Sequence, residues 1–134
     1  MVKTLEKVKC EIDKELFVQY EELAITIVHC TYSPPQKFMH PSWVNIYPAT
    51  YLVNQLNGEK IQMIHTIDIP LPPRKIYLKS FRDKISFTLI FPEIPKDWAV
   101  FDLIESTCIG YNLISTDIIR NDSGIYRIYT WLNV

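Results

Sequence analysis

The chain has 134 residues, of which 48% are hydrophobic, so it fits one domain that can bury a core without disulfides or structural metals. Its 14 basic and 15 acidic residues nearly cancel, which excludes the strong positive field of proteins that bind nucleic acid or anionic membranes by charge. Three cysteines, Cys10, Cys30 and Cys108, are too few for a disulfide framework.

The amino-terminal segment predicts neither an export signal nor a membrane anchor. Residues 1–17 alternate charged residues with single apolar ones and lack the continuous apolar core of a signal peptide. No stretch approaches the roughly 18 apolar residues of a transmembrane helix. We therefore expect a soluble, cytoplasmic chain, or an extracytoplasmic one if it is a mature form whose leader has been removed. One short helix is the alternative to a strand over residues 12–23, where apolar residues recur at helical spacing: Ile12, Leu16, Tyr20 and Leu23.

Period-two alternation predicts strands along much of the chain, because successive side chains of a strand point to opposite faces. Residues 24–32, AITIVHCTY, are apolar on both faces, which is typical of a central strand. Residues 42–55 predict two short strands broken at Pro48. The other alternating residues are Val8, Cys10 and Ile12, then Ile61, Met63, His65 and Ile67, then Phe87, Leu89 and Phe91.

Two glycines mark predicted hairpins. Asn57-Gly58 separates two β-type runs and suits a tight type I′ turn, whereas Gly124 lies in a longer loop between Ile118 and Tyr126. Prolines interrupt the ladders between runs. The pattern predicts a single domain over residues 1–134, an antiparallel β-sandwich of about eight or nine strands.

The stretch FTLIFPEIPKDWAVFDLIES, residues 87–106, predicts a corner between two strands. Pro92 and Pro95 end the ladder, Trp98 is expected to pack over the sheet end, and Asp102 to bond backbone amides or a basic side chain. Asp102 and Glu105 are an odd number of residues apart and should face opposite sides of a strand. This argues against a catalytic pair among the four acidic residues of the stretch, Glu93, Asp97, Asp102 and Glu105.

Other chemistry-bearing residues form no recognised motif. Cys30, beside His29 in a β-branched run, is predicted to be a buried core residue rather than a nucleophile. The basic and aromatic segment 74–84 predicts a solvated connection that holds Tyr77 in the core, rather than a nucleic-acid surface. No metal or cofactor is predicted, because the residues of suitable ligand type lack ligand spacing: His29, Cys30, His40, His65 and Cys108.

Aromatic residues gather in two places that suit a binding surface. Trp43, Tyr47 and Tyr51 lie close together in sequence, and Trp131 shares a strand face with Tyr129 near the end. Exposed rings on a sheet suit a protein partner or sugar stacking. Trp43, Tyr47, Tyr51 and Trp131 are therefore the predicted binding anchors.

The order of three segments, WVNIYPATYLVNQLNGEKIQMIHTIDIPLPP, ISFTLIFPEIPKDWAVFDLIES and GYNLISTDI, resembles an uncharacterised group of Bacteroidota proteins with a small immunoglobulin-like β-sandwich module. The matching features are the Asn57-Gly58 hairpin, the strand from Phe87 to Phe91, the Ile94-Pro95 corner and the motif Phe101–Glu105. The resemblance covers residues 22–118, implies the immunoglobulin-like fold and frequent export, and implies no catalytic residues. Two features depart from the group: there is no export leader, and Tyr111 stands where tryptophan is common.

We therefore expect a non-enzymatic interaction or accessory module that binds a protein partner, a second copy of the chain or a glycan through a sheet face or an edge strand. The alternative is a small hydrolase in which strand pairing brings His29 or His65 close to a carboxylate. That alternative needs a concave pocket that holds both groups.

Overall fold

The computed structural model describes residues 24–34, 42–79, 83–107 and 112–133, and within these ranges every regular element is a strand. The all-β prediction is therefore confirmed for this part of the chain. The strand expected at Val8, Cys10 and Ile12 and the helix or strand expected over residues 12–23 lie outside the described residues, as do His40, Cys108 and Tyr111. The ten strands are β1 (Ile25–Tyr32), β2 (Ser42–Val44), β3 (Tyr51–Asn54), β4 (Lys60–Gln62), β5 (His65–Ile67), β6 (Ile76–Leu78), β7 (Ile85–Pro92), β8 (Val100–Ile104), β9 (Asn112–Ile119) and β10 (Ile125–Asn133).

Eight strands form one sheet in the order β4-β3-β8-β9-β10-β1-β7-β5, and β2 pairs with β6 in a small second sheet. The described residues thus hold ten strands rather than the eight or nine expected, because short strands such as β5 and β6 carry too little pattern to be counted from sequence. Neighbouring strands are antiparallel except β1 and β10, which run parallel with Ile27 beside Ile125. The prediction of a purely antiparallel arrangement was therefore wrong at this pair.

Strand β10 belongs to two parts of the large sheet. Its first six residues pair with β1, whereas Trp131, Leu132 and Asn133 pair with β9. One part of the sheet is consequently β5-β7-β1 with the start of β10, and the other is β4-β3-β8-β9 with its end. As predicted from its apolar pattern, β1 is a central strand, between β7 and β10.

The two outermost strands of the large sheet are consecutive in sequence. Only Met63 and Ile64 separate β4 from β5. The Met63 amide donates to Thr50 O at 2.9 Å on one side, and the Ile64 amide donates to Ile90 O at 2.8 Å on the other. The sheet therefore curls until its two edges meet at this segment. The alternation from Ile61 to Ile67, predicted as one run, is divided between two strands with different partners. The prediction of a single inward face was wrong for the second half, because Ile61 and Met63 pack against the core whereas His65 and Ile67 are exposed.

The interior of the curled sheet holds one cluster of buried apolar side chains, and the small sheet closes over it through Val44 and Leu78. The predicted alternation in β7 is confirmed, with Phe87, Leu89 and Phe91 buried. At roughly 25 cal/mol per Å² of apolar surface, burial of such side chains is the main stabilising contribution. The other buried members are Val28, Cys30, Tyr32, Ile46, Leu52, Ile69, Ile94, Trp98, Phe101, Leu103, Leu113, Ile118 and Tyr126.

The first predicted hairpin is present with a different turn, whereas the second does not form at its loop, because the first six residues of β10 pair with β1 and only Trp131, Leu132 and Asn133 pair with β9. The β3–β4 connection spans residues 55–59, and of the Asn57-Gly58 pair only Gly58 has a positive φ, 78°. The Gly58 amide donates to Asn54 O at 2.8 Å, and Asn57 Oδ1 accepts from the Glu59 amide at 2.9 Å. The two-residue type I′ turn was therefore wrong, because the Asn57 side chain caps a wider loop instead of adopting the left-handed backbone. In the β9–β10 loop, Gly124 has φ 75°.

Candidate functional site

The predicted anchors do not form one cluster. Trp43 lies on β2 in the small sheet, 42% exposed, directly across from Tyr77 on β6. The Lys75 Nζ lies 4.4 Å from the centroid of the Trp43 ring, within the range of a cation–π contact. Tyr77 is 63% exposed, so the prediction that the basic segment holds this ring in the core was wrong. Tyr77 lies in the two-stranded sheet, where Leu78 is the buried residue of β6, so the face of β6 that carries Tyr77 is in solvent.

Two other anchors, Tyr51 and Trp131, lie at opposite ends of a single row of cross-strand neighbours. Tyr51 on β3 is paired with Ile104 on β8, Ile104 with Ile114 on β9, and Ile114 with Trp131 on β10. We call Tyr51, Ile104, Ile114 and Trp131 the outer apolar row. Trp131 is 43% exposed and the other three are partly exposed.

The outward direction of this row follows from the burial of its sequence neighbours. Leu52, Leu103 and Leu113 are buried in the core, and Leu132 packs against it. Since successive side chains alternate across a strand, the residues beside them must point away from the core. Cross-strand neighbours lie close enough to touch, about 4.5–5.5 Å between Cβ atoms, so the four side chains form a continuous strip.

Polar groups flank the outer apolar row on the same part of the sheet. Lys60 Nζ lies 4.6 Å from the centroid of the Tyr51 ring. The Gln55 amide donates to Asp102 Oδ1 at 2.8 Å and to Asp117 Oδ1 at 2.7 Å. Asp102 Oδ1 also accepts from the Asp117 backbone amide at 2.8 Å, where β9 has an irregular register and Asp117 adopts φ 60°. The structure thus places Asp102 at a bulge between β8 and β9, bonded to a backbone amide.

Tyr47 is half-buried, and its backbone is held by a buried carboxylate. Its amide donates to Glu105 Oε2 at 3.0 Å, while the Leu113 amide donates to Glu105 Oε1 at 2.8 Å. Glu105 is only 5% exposed. Burial raises the pKa of the Glu105 carboxyl, although the bonds from Leu113 and Tyr47 act in the opposite direction. Glu105 therefore ties the β2–β3 connection to β9.

The corner at residues 92–98 is built around a buried tryptophan. Pro92 ends β7, and the Trp98 amide donates to Pro95 O at 3.1 Å. Trp98 is fully buried within the core cluster, and its indole nitrogen donates to Glu59 Oε1 at 3.1 Å. The Arg120 guanidinium donates to Pro95 O from the other side.

The four acidic residues of this stretch occupy different environments. Glu93 and Asp97 are exposed at the corner, Asp102 is half-buried on the outer face, and Glu105 is buried. The odd spacing that predicted opposite faces for Asp102 and Glu105 agrees with this burial. A carboxylate pair for acid–base catalysis would need both groups to face one substrate, which these environments do not favour.

The two histidines of the hydrolase alternative, His29 and His65, lie on the same outward face of the sheet, on strands β1 and β5, which β7 separates. His29 faces outward and shares a hydrogen bond of 2.8 Å between its Nδ1 and Thr88 Oγ1. Cys30 points into the core, where burial raises the pKa of its thiol far above the usual range. His65 is exposed on β5 beside Ile90. His29 lines a concavity of about 410 Å³ that Asp68 also borders.

Among the described residues, no three side chains of His, Cys, Asp or Glu type are grouped as a metal ion would require. In the same ranges, no helix has the length and hydrophobicity to cross a membrane. Comparison of the chain with protein-family models, curated proteins and solved structures finds no match in any of the three.

Proposed function

We propose that the protein is a non-enzymatic interaction module that binds a partner protein through the outer apolar row. The observation that supports this is the continuous strip of four apolar side chains, with an indole at one end and a phenol at the other. Hot spots of protein interfaces are enriched in Trp and Tyr and are commonly surrounded by polar residues. Trp131 and Tyr51 supply the rings, and Lys60, Gln55 and Asp102 supply a polar rim.

A sheet face suits this role better than the edge strands that the sequence also left open. The two outermost strands, β4 and β5, have three residues each and are joined by the short run through Met63 and Ile64. Strand addition needs a longer row of unpaired backbone groups. The outer apolar row instead crosses four strands, so several elements hold its side chains in place.

We further propose that the two parts of the curled sheet are the layers of an immunoglobulin-like sandwich, as the resemblance to the Bacteroidota group implies. The division of β10 between β1 and β9 supports two layers. The Tyr126 hydroxyl, which accepts from the Asn121 amide at 3.1 Å, supports the proposal because a tyrosine bonded to nearby backbone is a feature of such folds.

The hydrolase alternative has less support. An activated nucleophile or base normally has a second group that orients it, often a carboxylate. The concavity bordered by His29 and Asp68 meets the requirement of this alternative for a pocket with both groups, but the Nδ1 of His29 is bonded to the Thr88 hydroxyl, and Cys30 lies on the opposite face of the strand. We therefore assign the outward surfaces to binding.

The test is partner capture from a lysate of the source organism, followed by measurement with the purified partner. Trp131→Ala combined with Ile114→Ser removes the centre and one end of the row, and Tyr77→Ala is the matched control on the small sheet. We expect one protein to be enriched on the wild type and the control, and its affinity to fall at least tenfold, about 1.4 kcal/mol, on the double variant.

Thermal unfolding must show that the double variant is folded, and light scattering must show whether the enriched partner is a second copy of the chain. A second copy whose association depends on the row would identify the module as a homo-oligomer. Equal binding by the wild type and the folded double variant would refute the proposed surface.

A further inference from the structure

A second outward surface lies on the other part of the large sheet, over β7, β1 and β10. Two cross-strand rows of three residues form its floor. Thr88, His29 and Arg127 are register partners in one row, and Ser86, Thr31 and Tyr129 in the next. The six side chains border the concavity of about 410 Å³ described above.

The first row offers charge and directed hydrogen bonds. The guanidinium of Arg127 is a planar donor that matches a carboxylate through two parallel hydrogen bonds. His29, its neighbour in the row, is bonded to Thr88 at 2.8 Å, and this contact restricts the rotation of the imidazole ring. Arg127 is exposed, so an anion can reach it from solvent.

The second row offers a ring and two hydroxyls. Tyr129 is 71% exposed, which leaves most of its ring available. An amphipathic ring of this kind packs against the apolar face of a sugar while hydroxyls nearby exchange hydrogen bonds with it. Thr31 and Ser86 are the hydroxyls beside it in the row.

Asp68 completes the border from the connection after β5, at an exposed position with φ 67°. A carboxylate accepts hydrogen bonds from sugar hydroxyls. A volume of about 410 Å³ is in the range of pockets that hold small organic ligands.

We propose that this concavity binds a sugar that carries a carboxylate, such as a uronic acid unit of a glycan. Arg127 receives the carboxylate, the Tyr129 ring packs against the sugar ring, and Thr31, Ser86 and Asp68 bond its hydroxyls. One row carries the Arg127 guanidinium and the other carries two hydroxyls and the Tyr129 ring. This combination favours such a ligand over a bare inorganic anion, which has no apolar face for Tyr129.

This site is separate from the outer apolar row. The concavity lies on β7, β1 and the start of β10, whereas the row ends at Trp131 on the part of β10 that pairs with β9. Tyr129 and Trp131 lie two residues apart on the same face of β10, so the variants that separate the two proposals are those away from this junction, Arg127→Gln for the concavity and Ile114→Ser for the row.

The experiment is an isothermal and NMR titration of the whole chain with digalacturonate, its uncharged counterpart galactobiose, and acetate. The variants are Arg127→Gln and Tyr129→Ala. Their matched controls are Lys96→Gln, an exposed lysine of the corner, and Tyr77→Ala, an exposed tyrosine of the small sheet.

We expect saturable binding of digalacturonate with amide shifts at residues 27–31, 86–88 and 127–129, and at least about tenfold weaker binding of galactobiose. Arg127→Gln should weaken digalacturonate at least about tenfold and Tyr129→Ala at least about threefold, with both controls within about twofold. Absence of saturable binding at about 10 mM, or equal affinity for acetate, would overturn the proposal. So would shifts centred on the outer apolar row, or Arg127→Gln binding as the wild type does.

Discussion

The buried carboxylate of Glu105 provides the sharpest test of how the fold is held together. Its two oxygens accept separately from the Tyr47 and Leu113 amides, and the residue is almost fully buried. In Glu105→Gln, one amide keeps an oxygen acceptor while the other faces the NH₂ group. A buried donor left without an acceptor costs about 1–3 kcal/mol, so we expect that loss in the free energy of unfolding near pH 5.

The loss should shrink as the pH rises. Because burial raises the pKa of Glu105, the folded protein keeps a proton at pH values where the unfolded chain, with a pKa of about 4.3, has released it. Protonation of Glu105 therefore contributes fully to the stability of the wild type below the pKa of the unfolded chain. That contribution is lost as the pH rises through the higher pKa of the folded protein. Glutamine does not titrate, so the difference between the two proteins narrows over that window.

Urea unfolding followed by tryptophan fluorescence at several pH values from 5 to 8 measures both effects. Glu93→Gln removes an exposed carboxyl at the corner and should change stability by less than about 0.5 kcal/mol. The reasoning is refuted if Glu105→Gln is as stable as the wild type at pH 5, or if the two stability curves stay parallel across the range.

Two further predictions concern the core and the turns. Trp98→Phe should lower the free energy of unfolding by about 2–4 kcal/mol, because it replaces a buried indole with a smaller ring and removes the hydrogen bond to Glu59. Trp131→Phe, at an exposed position, should lower it by less than about 0.5 kcal/mol. Equal losses for the two variants in chemical denaturation would contradict the assigned burial. We expect a loss of about 1–2 kcal/mol in the free energy of unfolding for each of Gly58→Ala and Gly124→Ala, because both glycines have a positive φ and an added Cβ meets no close contact at either position. A much larger loss for one variant would show that its Cβ is crowded.

Burial could be predicted from the sequence more completely than the pairing of strands. Alternation identified the inward face of β7 and the central position of β1, because burial is imposed residue by residue. It could not show that the run from Ile61 to Ile67 changes partners at Met63 and Ile64, since both halves keep the same period. Pairing of β1 with β10 depends on contacts between distant residues, which local pattern does not encode.

The candidate site was predicted only in part for the same reason. Tyr51 and Trp131 were identified by their ring types, but Ile104 and Ile114, which connect them, become visible only through the register of four strands. The inward direction of Glu105 could have been predicted from the sequence. It has the same parity as Phe101 and Leu103, so a strand that buries those two residues directs Glu105 inward as well.

Among the strands that the structure describes, β10 is the only one that β1 and β9 share as a neighbour, which makes it a natural point for complementation in trans. A chain that ends before Ile125 would leave one edge of β1 and one edge of β9 unpaired at the same time. A separate peptide with the sequence of residues 125–133 could then pair with both edges, parallel to β1 and antiparallel to β9. A peptide inserted in the reverse direction would have the wrong orientation at both edges.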